Sequence, residues 1–324
     1  MCCVQVWRGQ GDVPSDLGRT VVTLGNFDGV HRGHRAVLGQ LVEQATQRSA
    51  SSVAVTFHPH PVAVLFPDRA PTQLTSLDQR LALIAATGVD ATLVIEFTTA
   101  FAHLSPQEFV EQVFVDALHA CAVIVGEDTR FGWRNSGNVD TLRELGALDD
   151  FEVVVLADLG DGRRWSSTTA RAQLAEGDVE GAATVLGRPP RVCGTVVHGD
   201  HRGRELGFPT ANLGPEVEGL VPADGVYAGW LTRLDLPADG ESVDRVLPAA
   251  VSIGTNPTFD GHERRVEGYV LDRTDLDLYG ERVCYELVRR LRPTVKYEGI
   301  EPLVRQMNED VAQCREILRT VVPS

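Results

Sequence analysis

His31 and His34 stand three residues apart in Gly25-Asn26-Phe27-Asp28-Gly29-Val30-His31-Arg32-Gly33-His34, directly after the apolar run Val21-Val22-Thr23-Leu24. Side chains three apart share a helix face, so two imidazole N–H groups could donate together to a polyphosphate. Gly25, Gly29 and Gly33 leave room for close approach, and the N–H groups and dipole at a helix start favour phosphate. The chemistry this suits is adenylyl transfer, attack at an α-phosphorus with the histidines stabilising the departing pyrophosphate and no covalent enzyme intermediate. The plainer alternative is a pair of histidines that only cap the helix. The strand before them and the FDGVH context favour the functional reading.

Three further clusters carry hydrogen-bonding chemistry. His58 and His60, in Phe57-His58-Pro59-His60-Pro61, alternate along an extended stretch and could face one side, but no third metal ligand is evident. Ser166, Thr168 and Arg171 offer hydroxyl and guanidinium donors at a helix start, suited to a triphosphate. Residues 198–212 place Gly199, Gly203 and Gly207 ahead of Pro209-Thr210-Ala211-Asn212. Glycine N–H groups there could wrap phosphates, and the Thr210 hydroxyl and Asn212 carbonyl are hard oxygen ligands suited to Mg²⁺.

The elements that must position these residues follow from periodicity. Short β-branched runs at 20–24, 52–57, 91–97, 122–126 and 152–157 alternate with helical patterns at 34–46, 76–86, 106–118 and 139–145. Strand, helix, strand repeated predicts an α/β domain with a doubly wound parallel sheet. Two helical patterns follow, at 168–175 and 179–186, and then Gly187-Arg188-Pro189-Pro190, which sets the expected boundary between domains 1–186 and 187–324. Beyond it, strand-like runs at 191–198, 226–234, 246–253, 265–271 and 281–291 predict a small antiparallel barrel or sandwich. Ile300, Leu303, Val304, Met307, Val311, Cys314, Ile317 and Leu318, three or four apart, predict a closing amphipathic helix.

Composition narrows the function. Forty-five acidic against thirty basic residues give a net charge of −15, which argues against nucleic-acid or anionic-membrane partners and requires local donors for any anionic substrate. Lys296 is the single lysine, so neither a Walker A loop nor a protein-kinase lysine has a candidate. Residues 1–18 lack a basic start with an apolar stretch, and nowhere do eighteen apolar residues run together, so a soluble, cytoplasmic protein is expected. Cys2, Cys3, Cys121, Cys193, Cys284 and Cys314 lack CxxC spacing and are expected as reduced, mostly buried thiols.

GNFDGVHRGH resembles the HxGH nucleotidylyltransferases, and specifically the adenylyltransferase half of the bacterial bifunctional riboflavin kinase/FAD synthetase family. FHPHP at 57–61, Gly126-Glu127-Asp128-Thr129-Arg130-Phe131-Gly132 and Ser166-Ser167-Thr168-Thr169-Ala170-Arg171 are similar to its other segments. In the C-terminal half, Gly203-Arg204-Glu205-Leu206-Gly207-Phe208-Pro209-Thr210-Ala211-Asn212 resembles the GRxLGFPTAN signature of the kinase domain, and 225–229, 252–259 and 277–280 follow in the family's order. The resemblance implies phosphorylation of riboflavin by ATP to FMN, then adenylylation of FMN to FAD, both with Mg²⁺.

It implies His31 and His34 as catalytic, with Glu267 at the catalytic carboxylate position, where one base takes the proton from a primary alcohol. Gly25, Asn26, Phe27, Asp28, Gly33, Ser166, Thr168, Arg171, Gly203 and Gly207 are the implied nucleotide contacts, His58, Pro59, Asp128 and Arg130 the flavin contacts, and Thr210 and Asn212 the metal ligands. Thr129 stands where the family usually has an aromatic residue and Ala170 where it has a bulkier apolar one. These departures leave open an alternative, an active kinase with an N-terminal domain that binds flavin as a regulator.

Overall fold

Val21 and Val22, consecutive on one strand, are both fully buried, which is possible only where each face of a sheet has its own cover. The structure, a computed structural model, describes residues 4–157, 165–199, 206–237, 244–258 and 261–323. The chain divides by its own contacts into residues 1–166 and 167–324.

In the first unit, β1 (Gln5–Arg8), β2 (Thr20–Leu24), β3 (Ser51–His58), β4 (Ala91–Glu96), β5 (Ala120–Gly126) and β6 (Glu152–Leu156) form one parallel sheet in the order β1-β4-β3-β2-β5-β6. One face carries α1 (Arg32–Arg48) and, beyond the short α2 (Pro61–Leu65), α3 (Leu77–Ala85). Val21, Ala54 and Ile124 there join Leu38, Leu41 and Ile84. The other carries, after the four-residue α4 (Thr99–Ala102), α5 (Pro106–Phe109) with its π-helical continuation Val110–Ala117, and α6 (Val139–Leu148). On that side Val22, Val55 and Val123 meet Phe109, Phe114 and Leu142. From β2 the chain runs outward through β3 to β4, then returns to the far side of β2 for β5 and β6. The direction of winding therefore reverses between β2 and β5, the place where open parallel sheets bind ligands.

The second unit opens with α7 (Ser167–Glu176) and α8 (Val179–Leu186), which the sequence reading assigned to the first domain. They are tied to the barrel: the Ala223 amide donates to Leu174 O at 2.9 Å, Arg290 Nη1 to Glu176 O at 2.9 Å and Arg289 Nε to Glu180 Oε1 at 3.0 Å. The barrel is closed by β7 (Arg191–Val197), β8 (Thr210–Leu213), β9 (Gly225–Arg233), β10 (Val246–Thr258), β11 (Gly261–Val270) and β12 (Arg282–Arg292), in the order β10-β11-β8-β7-β12-β9. The strand at Thr210–Leu213 was not foreseen. Its four residues are too few to show a period, yet they close the barrel between β7 and β11.

Cys193 and Cys284 lie directly opposite each other on β7 and β12 and are joined as a disulfide, which corrects the expectation of reduced thiols. Strand register, not sequence spacing, brings together two cysteines 91 residues apart. Cys121 and Cys314 are free and buried.

α9 (Ile300–Leu318) packs Val311, Cys314 and Leu318 against Phe208, Ala228 and Leu271. Among the described residues no helix is long and apolar enough to cross a membrane. Where α9 meets β12, Arg292 grips the buried Asp310 through Nε at 2.9 Å and Nη2 at 2.6 Å, and Gln306 adds a bond at 3.1 Å. Asp310→Ala should therefore lower stability by about 3 kcal/mol, the lower end of what breaking a buried pair costs because Arg292 keeps some access to water. Urea denaturation at neutral pH checks this. A loss near zero would mean the helix is held by its apolar face alone.

Candidate active sites

The turn from β2 into α1 departs from ordinary backbone geometry. Phe27 and Val30 have φ of 48° and 38°, left-handed values that side-chain-bearing residues avoid, β-branched ones most of all. Asp28, buried between them, holds the turn: its carboxylate accepts from the Leu74 amide at 2.9 and 3.1 Å, the Thr75 amide at 3.2 Å and the Thr75 hydroxyl at 3.3 Å. The Gly29 amide donates to Thr75 Oγ1 at 3.2 Å and the Gly25 amide to Val55 O at 3.0 Å. Asn26 offers its carbonyl to the Thr56 hydroxyl at 3.3 Å, and Gly33 stands in the first turn of α1. Asp28 is thus a fastening of the turn.

His31 is not on the helix, as the spacing suggested, but at its N-cap, where Nδ1 accepts from the His34 amide at 3.3 Å. A neutral imidazole that accepts at Nδ1 carries its proton on Nε2, so capping leaves His31 a donor. The His31 and His34 rings stack at 3.6 Å between centroids, 21° from parallel, and Phe27 meets His34 edge-on at 5.2 Å. His34 Nδ1 is buried with no hydrogen-bond partner among the described residues. Burial holds the His34 pKa well below the ordinary 6.5, with the positive charge of His31 and Arg80 adding to the effect.

The neighbouring strand ends complete this edge. At the end of β3, His58 and Pro59 are exposed and joined by a cis peptide bond. Burial lowers the His58 pKa, helped by Arg80 and Arg8 and opposed by Asp78. His60 is a cap, its Nδ1 accepting from the Val62 amide at 3.2 Å. After β5, Asp128 and Arg130 are exposed in a tight turn closed by the Thr129 amide on Gly126 O at 3.1 Å, and Phe131 anchors the loop in the core. Ser166 ends the first unit, while Thr168 and Arg171 belong to α7 in the second. Ala170 on α7 is fully buried, a packing position.

Sequence reasoning missed Arg80. It is 1% exposed, its Nη1 donating to Phe57 O at 3.1 Å and Thr56 Oγ1 at 3.4 Å, its Nη2 to Gln73 Oε1 at 2.7 Å. An arginine in a helical pattern reads as solvated surface. Only its register on the face that also buries Leu81 and Ile84 could have marked it.

In the barrel, Val266, Gly268 and Val270 of β11 are buried, which places Glu267 on the other face. Glu267 is registered opposite Asn212 of β8 and Ser252 of β10, and Thr210 lies opposite Tyr269. Thr210, Asn212 and Glu267 therefore share one face of adjacent strands. Asn212 Nδ2 donates to Thr210 O and Oγ1, each at 3.3 Å. A Cβ at position 199 would come within 2.6 Å of the Asn212 amide, so glycine there is what lets the asparagine keep its place. Gly207 is exposed in the turn ahead of Phe208, and Gly203 lies outside the described residues.

Behind Glu267, the Tyr285 ring fills the space where a Gly268 side chain would be, within 2.4 Å of that Cβ position, and its hydroxyl donates to Ala211 O at 2.7 Å. Burial pushes the Tyr285 phenol far above its ordinary range, and the charge of Glu267 pushes the same way.

Paired histidines at the switch point of a parallel sheet, and a closed barrel with a carboxylate beside a threonine hydroxyl and an asparagine amide, fit a two-part transferase. The FAD synthetase family model matches residues 13–170 and the riboflavin kinase family model residues 186–318. The chain is 35% identical to the bifunctional riboflavin kinase/FMN adenylyltransferase of Escherichia coli (strain K12) over 94% of each chain, and 38% identical to that of Listeria monocytogenes over 91% of each. A solved Streptococcus pneumoniae structure, described as a macrolide-efflux protein, matches with a TM-score of 0.83 and 29% identity, covering 99% of this chain and all of the other. The chain belongs to the bifunctional riboflavin kinase/FMN adenylyltransferase family.

His34 sets a pH dependence whose sign is fixed. Its folded pKa is depressed, so below pH 6.5 the unfolded chain binds a proton that the folded chain refuses. The contribution is complete above 6.5 and is lost as pH falls through the interval beneath it. Unfolding midpoints in urea at pH 7.5, 6.5 and 5.5 should show wild type losing more stability on acidification than His34→Gln. Parallel slopes in the two proteins would show that His34 is not held neutral.

Proposed function

We infer that the chain makes FAD from riboflavin in two ATP-dependent steps, phosphorylation to FMN in residues 187–324 and adenylylation of FMN, with release of pyrophosphate, in residues 1–186. What carries the reading is that two sites built on separate frameworks share one chain, and the product of one is the substrate of the other.

In the kinase step, Glu267 accepts the proton of the riboflavin primary alcohol as its oxygen bonds to the γ-phosphorus of ATP and ADP departs. The Thr210 hydroxyl and the Asn212 side-chain oxygen, hard ligands beside Glu267, fit Mg²⁺, and the glycine cradle at 199 keeps Asn212 in place for it. Bound there, Mg²⁺ supplies charge neutralisation for the phosphates. In the adenylyl step, a phosphate oxygen of FMN bonds to the α-phosphorus of a second ATP, and the bond to the bridging oxygen breaks. Charge collects on the leaving pyrophosphate, where His31 Nε2–H, the His34 ring and the first amides of α1 can donate.

Ser166, Thr168 and Arg171 are assigned to the triphosphate, and His58, Pro59, Asp128 and Arg130 to the flavin. For the flavin group, their places at the ends of β3 and β5 support this. The need for ATP in both steps suits a cytoplasmic enzyme.

The test follows FMN and FAD over time with riboflavin, ATP and Mg²⁺. His31→Ala and His34→Ala should each slow FAD formation by about 10²–10³ while FMN formation continues. Glu267→Gln should abolish FMN formation yet still convert supplied FMN to FAD. Loss of both activities in either variant, with an intact circular dichroism spectrum, would overturn the assignment of two separate sites.

A further inference from the structure

We propose that Arg80 is a positioning residue for adenylyl transfer, a buried guanidinium that locks the turns after β2 and β3, and the 73–75 segment that fastens the first of them, into one geometry. Through Phe57 O it holds the start of the 57–61 turn, and through Thr56 Oγ1, which itself donates to Asn26 O at 3.3 Å, it reaches the turn that carries His31 and His34. Through Gln73 it fixes the segment whose next two residues, Leu74 and Thr75, bind Asp28.

A merely structural arginine would have its donors satisfied and its charge neutralised locally. Arg80 meets this only in part: Nε is buried with no partner among the described residues, and the acceptors on Nη1 and Nη2 are all uncharged. Burial lowers its pKa from the ordinary arginine value, with the Asp28 carboxylate opposing that shift. Its field reaches both imidazoles that face the site. It disfavours protonation of His34 together with His31, and of His58 together with Arg8 and against Asp78. The guanidinium thus fixes where the turns lie and adds to the burial that disfavours protonation of their histidines.

This role presupposes the adenylyl-transfer reading. FAD synthesis by the wild type tests that reading, whereas the titration of His34 tests Arg80 without any turnover. The experiment uses the full chain, with the His34 ring signal assigned by its loss in His34→Gln and followed by NMR against pH. Arg80→Met removes charge and fork together; His34 should titrate at higher pH and kcat for FAD formation should fall by about 10–100-fold, with riboflavin phosphorylation unchanged. Arg80→Lys keeps the charge but cannot span three acceptors, so the His34 midpoint should return to the wild-type value while kcat recovers only in part.

An unshifted His34 midpoint in Arg80→Met, or a wild-type kcat for FAD formation in that variant, would overturn the proposal. Should Arg80→Met fail to fold, Thr56→Val decides. It cuts the link to Asn26 and leaves the charge, so kcat for FAD formation should fall about tenfold with the His34 midpoint unmoved. A wild-type kcat there overturns the positioning role.

Discussion

The buried carboxylate of Asp28, accepting from Leu74 and Thr75, is the interaction on which the parallel-sheet half depends. The chain must leave β2 and enter α1 with the first amides of the helix turned to a ligand, and it does so with two side-chain-bearing residues at positive φ. Conformations of that kind cost about 1–3 kcal/mol each. Hydrogen bonds to a charged acceptor contribute about 1.5–3 kcal/mol each, enough to offset them. The partners of Asp28 are themselves fixed, because Ser76 and Gln79 form a capping box that starts α3 immediately after Thr75. Strain at the site is thus balanced by a rigid helix start on a different segment, and the turn is over-determined.

The barrel half solves a different problem by strand period alone. Alternation sends Val266, Gly268 and Val270 inward and Glu267 outward, and pairing with β8 and β10 sets the face Glu267 shares with Asn212 and Ser252. A one-residue slip of β11 would exchange the two faces. The Gly268–Tyr285 fit guards against it, since neither neighbour, Glu267 or Tyr269, would leave room for that ring. A core contact between two residues with no chemistry of their own thereby fixes the position of Glu267.

What the sequence disclosed followed the strength of its periods. β2 to β6 and α9 were legible because buried strands and amphipathic helices write their environment into residue types. The edge strand Gln5–Arg8 and the four-residue β8 were not, because neither is long enough to show alternation and both exist through pairing. Helices α7 and α8 precede the turn-rich joint at 187–190 in sequence, whereas their bonds through Leu174, Glu176 and Glu180 to residues far along the chain could only be seen in the fold. The candidate residues were legible as types near glycine-rich turns, but their places were divided only by geometry: His31 and His60 cap helices, and Asp28 fastens the turn.

An acidic protein that handles ATP cannot rely on its overall field, which repels nucleotide at long range and is screened beyond about 8 Å in physiological salt. Attraction has to be generated at short range and away from water, where a charge interacts several-fold more strongly than at the surface. In the adenylyl-transfer reading, the start of α1 would supply part of it and the buried guanidinium of Arg80 another. Burying a cation is costly unless its donors are used, and three separate acceptors on Thr56, Phe57 and Gln73 require a planar fork rather than a point charge. A lysine at position 80 could carry the charge but not bridge the turns, so the geometry of the acceptors, and not net charge, selects arginine here.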